Sequence, residues 1–426
     1  MKMHNIGFYI CLLIPLNSMA KNVYHFNPTC ELAVANGSFS YMPPLLLQEM
    51  ERDLSILPFV FGTENDFVVT ENRPSAEFSQ KLKNAGFDLP VFCGLADLES
   101  LYIGSFDALC PWGWSPAAHF KLKNLKKKCA DEFKASPVFD WKEEHKSLFE
   151  RATSLSFLTQ ILEKNKPGWF IERAMTGTKV TTCQEIESLL ERHSSIVLKA
   201  PLSSSGRGIQ IIRKKELNQS NRQWISGIIR QQNYLIAEPF LKKLIDLSFQ
   251  FQISANAEVE YLGYSVFETN GNGQYKGSLI RPDLKSILPE EHIAEVEEMI
   301  SISSNLITES LKNSIYAVCH RGYLGIDALI FTDQNRLIMQ PCIEINSRMN
   351  MGILAKFIEN KIHPHATGKF ELFYGSPREY LNFAKIQSHL RPPEFQTGKL
   401  YSGFLPLVEP DSNKKFGAYI SLGTER

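Results

Sequence analysis

The chain has 426 residues, enough for two or three domains each with a core of its own. Its 46 lysines and arginines balance 46 aspartates and glutamates, so no net charge draws it to nucleic acid or to an anionic membrane. A hydrophobic share of 43% is ordinary for a globular protein, and the 8 cysteines form no CxxC pair. Such scattered thiols suit a reducing compartment better than a disulfide framework or a zinc site.

Lys2, the apolar run Ile6 to Leu16 and Ser18-Met19-Ala20 together look like an export leader. The run is too short to span a bilayer. A chain starting at Met19 would instead open on polar residues leading into a strand, and residues 1–20 would then be an upstream over-extension. Both readings stand on the leader alone.

Residues 21–145 alternate strand-like and helix-like pieces, which predicts a small α/β domain with a parallel sheet. "DFVVTE" (66–71) and "LPVFCG" (89–94) are expected strands, and "SAEFSQKLKNAG" (75–86) is an expected helix closed by its glycine. "PWGWS" (111–115) is a dense loop whose tryptophans should pack. The basic run Lys121 to Lys128 reads as a solvated face. The stretch 140–165 reads as one amphipathic helix ended by Pro167-Gly168, and the domain boundary is placed at its start, near 146.

From there the pattern changes to α+β, largely antiparallel. A helix is expected at 183–193 and strands at 195–200, 234–241, 247–254 and 258–268. A helix follows at 289–312, then a hairpin of 323–331 and 336–346 about "TDQN". This unit is taken to run from 146 to 380. Residues 381–426 look like a hairpin extension, suited either to shape an acceptor site or to make a homodimer contact. No repeat and no transmembrane segment is apparent.

Three polar residues interrupt apolar strands. Asp327 sits within "LGIDALIF", and Glu344 and Asn346 share one face of "PCIEINSRMNMG" because residues i and i+2 point the same way. A buried carboxylate needs a partner, so a cation is expected nearby. Three hard oxygen donors without thiol or imidazole suit Mg2+, which keeps several positions for phosphate and water. Upstream, Lys199 ends the strand "SIVLKA" and is followed by Ser203, Ser204, Ser205, Gly206, Arg207 and Gly208. Such a small-residue turn can present backbone N–H groups to phosphate, although it is not a P-loop, since the lysine precedes the glycines.

Four stretches, "VLKAPLSSSGRG" (197–208), "IAEPFL" (236–241), "LGIDALIF" (324–331) and "EINSRMNMG" (344–352), stand in the order and approximate spacing of the ATP-grasp superfamily, which the chain resembles over residues 145–370. The resemblance implies an α/β front domain followed by an α+β ATP-grasp module, two subdomains clamping ATP between antiparallel sheets. By it, Lys199 contacts the α- and β-phosphates and the loop Ser203 to Gly208 covers them. Glu238 lies beside adenine and ribose. Asp327 and Glu344 hold magnesium, Glu344 bridging two ions and Asn346 completing the second. Arg348 neutralises the transferred phosphoryl group or grips the acid substrate. Two departures stand out. Arg151 occupies the place of a usual lysine, and Asp327 and Glu344 are farther apart than a tight hairpin allows, which Pro341 would explain as a bulge.

The implied activity is ATP-dependent joining of a small carboxylate to an amine through an acyl phosphate, in the cytoplasm. A kinase acting on a hydroxyl, a non-catalytic ATP-binding regulator and an exported binding protein are the alternatives. "NGNGQYKG" (270–277) is read either as a lid carrying Lys276 or as an exposed hairpin turn. His25, His119, His320, His363 and His365 show no metal-ligand spacing, though His119 could line a pocket of the front domain.

Overall fold

A computed structural model describes residues 21–100, 102–164, 167–203, 208–213, 216–269 and 275–423. The front segment starts with β1 (Asn22–His25), α1 (Cys30–Asn36) and α2 (Leu45–Asp53). It continues through β2 (Phe67–Val69), α3 (Ala76–Asn84), β3 (Val91–Cys93), α4 (Leu95–Ser100) and β4 (Ala108–Pro111). The strands form a four-stranded parallel sheet in the order β3-β2-β1-β4. Apart from Asn22 and His25 at the ends of β1, their residues are apolar and pack into cores on both faces. Ser75 caps α3 by accepting from Phe78 N at 3.1 Å, and Gly86, at φ +94, turns the chain out of it.

The basic run departs from the expected solvated face. It forms α5 (Pro116–Lys121) and α6 (Lys123–Lys126), with Leu122 and Leu125 in the core. Lys126 is buried, its Nζ 2.8 Å from His119 Nδ1 and 3.2 Å from Asp140 Oδ1. Lys128 Nζ donates to three carbonyls, of Leu98, Glu99 and Tyr102, at 2.7–3.0 Å. Long cationic side chains here tie loops together. A short helix, α7 (Asp131–Lys134), completes the segment.

The single helix expected over 140–165 is broken. A 3-10 turn covers Glu143–Phe149, Glu150 is extended, and α8 runs Arg151–Glu163. The break has a tertiary cause. Arg151 N donates to Pro201 O at 3.0 Å, and Ser154 Oγ accepts from Ile345 N at 3.0 Å. Both bonds fix the first turn of α8 between two sheets.

One of these sheets is built from β5 (Thr178–Val180), β6 (Ile196–Lys199), β7 (Ile209–Ile212) and β8 (Leu235–Pro239), in the antiparallel order β5-β8-β6-β7. It packs on α9 (Cys183–Arg192) and α10 (Gln219–Gln232) through Ile186, Leu190 and Ile225. The other sheet contains β9 (Lys243–Ile253), β10 (Val259–Thr269) and β11 (Tyr275–Ile280). After α11 (Glu290–Lys312) and α12 (Ile315–Cys319) come its strands β12 (Gly322–Asp333) and β13 (Arg336–Asn346). Then follow α13 (Met351–Lys361), β14 (Gly368–Tyr374), α14 (Glu379–Leu390), β15 (Glu394–Gln396), β16 (Lys399–Pro406) and β17 (Phe416–Leu422). The strand order is β13-β12-β9-β10-β11-β14-β17-β16-β15, antiparallel throughout.

Two details of this sheet position the site. Gln334 and Asn335, at φ 46 and 62, make the tight β12–β13 turn, as two-residue hairpin loops require. Asp327 then pairs with Glu344, but Leu329 pairs with Gln340, so the stretch holding Pro341 carries two extra residues. Proline has no N–H for the ladder, so a bulge is where it belongs. The C-terminal strands extend the sheet, and Leu400, Phe404 and Ile420 share one core with Tyr24, Phe59 and Phe87 of the front segment. Among the described residues no helix is long and apolar enough to cross a membrane.

Candidate active site

Two carboxylates face each other across the β12–β13 pair. Asp327 accepts from Ser248 Oγ at 2.7 Å and from Asn346 Nδ2 at 3.1 Å. Burial pushes its carboxyl up to about 7, and the charge of Glu344 adds to that, against the two hydrogen bonds. Asp327 forms no direct ion pair among the described residues, and the charge of Arg348 acts on it from farther off, favouring the ionised form.

Glu344 does form an ion pair. Arg151 Nη2 lies 2.9 Å from its Oε1 and 3.2 Å from its Oε2. The other nitrogen, Nη1, donates to Ser203 Oγ at 2.6 Å and to Ala200 O. Arg151 therefore joins the turn after β6 to the carboxylate hairpin, with its side chain only 4% exposed. The cation expected beside Glu344 is this arginine.

Arg348 is held on three sides. Its Nε donates to Glu31 Oε1 at 2.9 Å, its Nη2 to Asn346 Oδ1 at 2.8 Å and its Nη1 to Met349 O at 3.2 Å. Burial works against the charge, but Glu31 and Cys30 keep the guanidinium above the usual arginine range. Asn346 is thereby used at both ends, its amide nitrogen on Asp327 and its oxygen on Arg348. Glu31, on α1 of the front segment, had no signal in the sequence.

Asp327, Glu344, Asn346, Arg348 and Arg151 all line one cavity of about 550 Å³. Lys199 and Glu238 do not line it. They pair with each other on the four-stranded sheet, their side chains 8% and 15% exposed. Ser203 meets Arg151, and Gly208 closes the base of the turn by accepting from Ala200 N at 2.8 Å. Residues Ser204, Ser205, Gly206 and Arg207 lie outside the described residues. So do 270–274 of the suggested lid, while Tyr275, Lys276 and Gly277 begin β11. His119 lines neither this cavity nor the one at the ends of the parallel strands. It stacks on Trp114 at 4.3 Å, and burial drives its imidazole down to about 3.

The donor chemistry fits a hard divalent cation. Two facing carboxylates repel, and only one is matched by an arginine. No group of three Asp, Glu, His or Cys side chains gathers among the described residues. Two carboxylates and an amide are nevertheless enough for Mg2+, which takes few protein ligands and completes its octahedron with phosphate and water.

Two antiparallel sheets joined at an arginine, one bearing Lys199 and its small-residue turn and the other the carboxylate hairpin, stand behind a parallel α/β unit, which is the fold class expected from the sequence. No family model matches the chain. It is similar to the [Butirosin acyl-carrier protein]--L-glutamate ligase of Niallia circulans, 30% identical over 226 residues. The match covers 49% of each chain, so the chain spans about half the length of this curated relative. Similar solved structures include N5-carboxyaminoimidazole synthetase of Staphylococcus aureus complexed with ADP, 14% identical with a TM-score of 0.46, covering 95% of this chain and 94% of that one. Another is a biotin carboxylase β,γ-ATP complex from Campylobacter jejuni, 13% identical with a TM-score of 0.49, covering 95% and 88%.

Proposed function

We propose that the chain is a Mg2+-dependent ligase that uses ATP to activate a carboxylate as an acyl phosphate and passes the acyl group to an amine, releasing ADP and phosphate. The observation that carries this is the meeting of Asp327, Glu344, Asn346, Arg151 and Arg348 at one cavity. Attack of one anion on another needs positive charge along the path and oxygen donors for a hard cation. The name of the Niallia circulans relative, an acyl-carrier protein–L-glutamate ligase, supports the same reaction type.

In this reading Lys199 and the turn from Ser203 to Gly208 hold the α- and β-phosphates, and Glu238 takes the ribose side. Asp327, Glu344 and Asn346 hold one or two magnesium ions. Magnesium held there would supply charge neutralisation for the phosphates and polarisation of the γ-phosphoryl group. Arg348, steadied by Glu31, faces the acid and the transferred phosphoryl group. A carboxylate oxygen attacks the γ-phosphorus as the bond to the ADP oxygen breaks. The amine nitrogen then attacks the acyl carbon, phosphate departs, and the amine proton goes to solvent. A ligase that consumes ATP would act in the cytoplasm.

ADP release in the presence of a carboxylate panel tests the reading, with hydroxylamine trapping the acyl phosphate as a hydroxamate. Lys199→Ala should raise the KM for ATP about tenfold, and Glu344→Gln should lower kcat on the order of 100-fold. Unchanged Mg·ATP affinity and turnover in both variants would sink the site assignment. AMP and pyrophosphate as products would point to adenylation instead, and a phosphorylated hydroxyl compound to a kinase.

A further inference from the structure

The cavity has two ends of opposite character. All five charged residues that line it among the described residues, Glu31, Arg151, Asp327, Glu344 and Arg348, belong to the hydrogen-bonded network of the reaction end. The far wall comes from α2, β14 and β17 and includes Leu46, Met50, Phe373, Tyr374 and Phe416. It carries no charge. Tyr374 and Phe416 stack at 4.8 Å, making one aromatic face. Leu46 and Tyr374 remain 39% and 62% exposed, so the wall is apolar surface open to solvent at the cavity mouth.

This asymmetry bears on what is activated. A carboxylate placed at Arg348 must lay the rest of its molecule somewhere in the same cavity. An ammonium group or a second carboxylate against the far wall would lose its hydration and meet uncharged lining, since the neighbouring Lys415 and Glu49 are already paired with each other at 2.8 Å. A hydrocarbon chain or ring would instead be removed from water together with the exposed leucine and tyrosine.

Resting on the ligase reading, we propose that the acid activated here is monocarboxylic with an apolar body, aliphatic or aromatic. Its carboxylate faces Arg348, and its body lies on the wall of Leu46, Met50, Phe373, Tyr374 and Phe416.

The test uses the full chain with Mg·ATP and hydroxylamine as the common acceptor, so that the natural amine need not be known. Hydroxamate and ADP are measured for acetate, butyrate, hexanoate, octanoate and phenylacetate, and for succinate and L-glutamate. The value of kcat/KM should rise about fourfold for each added methylene up to the length of the wall, with succinate and L-glutamate near background. Leu46→Asp, at a half-exposed position that tolerates a charge, should raise the KM for hexanoate about tenfold and leave the KM for ATP as it was. A flat response along the series, or better turnover of the dicarboxylates, overturns the proposal and leaves the ligase reading standing. A chain-length effect confined to the amine, seen when alkylamines replace hydroxylamine, assigns the wall to the acceptor and also overturns it. No hydroxamate with any acid overturns both.

Discussion

Arg151 and Glu344 neutralise each other across the joint between two sheets, and neither can be altered without consequence for its partner. Removing one member of a buried ion pair leaves a charge without compensation. Glu344 keeps a quarter of its side chain exposed, which softens the penalty. Arg151→Met should therefore lower stability by about 2 kcal/mol, read from urea unfolding. Arg151→Lys keeps the charge but loses the planar fork that serves Glu344 and Ser203 together, so it should recover only part of the loss. Equal stability of all three chains would refute the bridging role.

Histidines give a second handle at this scale. Burial lowers the His320 imidazole to about 4, against the hydrogen bond it makes with Tyr323 O, and His119 is lowered to about 3. An unfolded histidine titrates near 6.5. Between the two values the unfolded chain binds a proton that the native chain does not, so stability present above about pH 6.5 is lost as pH falls toward 4. The urea midpoint should drop between pH 7 and pH 5, and His320→Gln should make the dependence shallower. Because the raised Asp327 carboxyl acts with the opposite sign over the same window, the decisive comparison is between variants, and a pH dependence unchanged by His320→Gln contradicts the buried neutral histidine. Asp327, Glu344 and Asn346 were legible in the sequence because charge inside an apolar strand is conspicuous. Glu31 was not, since its arginine lies 317 residues away and nothing in "TCELAV" marks one glutamate as buried.

Among elements, the β12–β13 hairpin and the turn after β6 do most to define the site. The long spacing between Asp327 and Glu344 is resolved by the bulge at Pro341, which sequence reasoning could find because proline is excluded from a regular ladder. The break before α8 was beyond that reasoning. Helical periodicity runs straight through Glu150, and tertiary bonds to Pro201, Tyr234, Ile345 and Ser347 interrupt it. Helix α10 was missed for the opposite reason, as "QSNRQWISGIIRQQ" is polar and buries only Ile225. In the turn itself, a Cβ on Gly208 would run into the Ser203 side chain and crowd Ala200. Gly208→Ala should force the turn open, raising the KM for ATP about tenfold with little change in the melting temperature. An unaltered KM would mean that the turn does not touch the nucleotide.

At the scale of the whole molecule, the parallel front sheet is not independent of the chain's last strands. Leu400, Phe404, Leu405, Ile420 and Leu422 pack in the same core as Phe26, Phe59 and Phe87, and β17 pairs with β14 over seven residue positions. A chain ending at residue 380 would expose that core, so it should be recovered mainly as aggregate, whereas in residues 21–423 the front segment and the C-terminal strands should unfold together. A well-behaved monomer lacking residues 381–426 would argue against the shared core. The order of synthesis then matters. Residues 24–87 leave the ribosome more than 300 residues before the side chains that complete their core. Local pairing can form β1 and β2 early, but the core cluster they belong to is complete only once β16 and β17 are made. The front unit should stay open to proteases and chaperones until translation has nearly ended, and the fold should close late, from its two distant ends together.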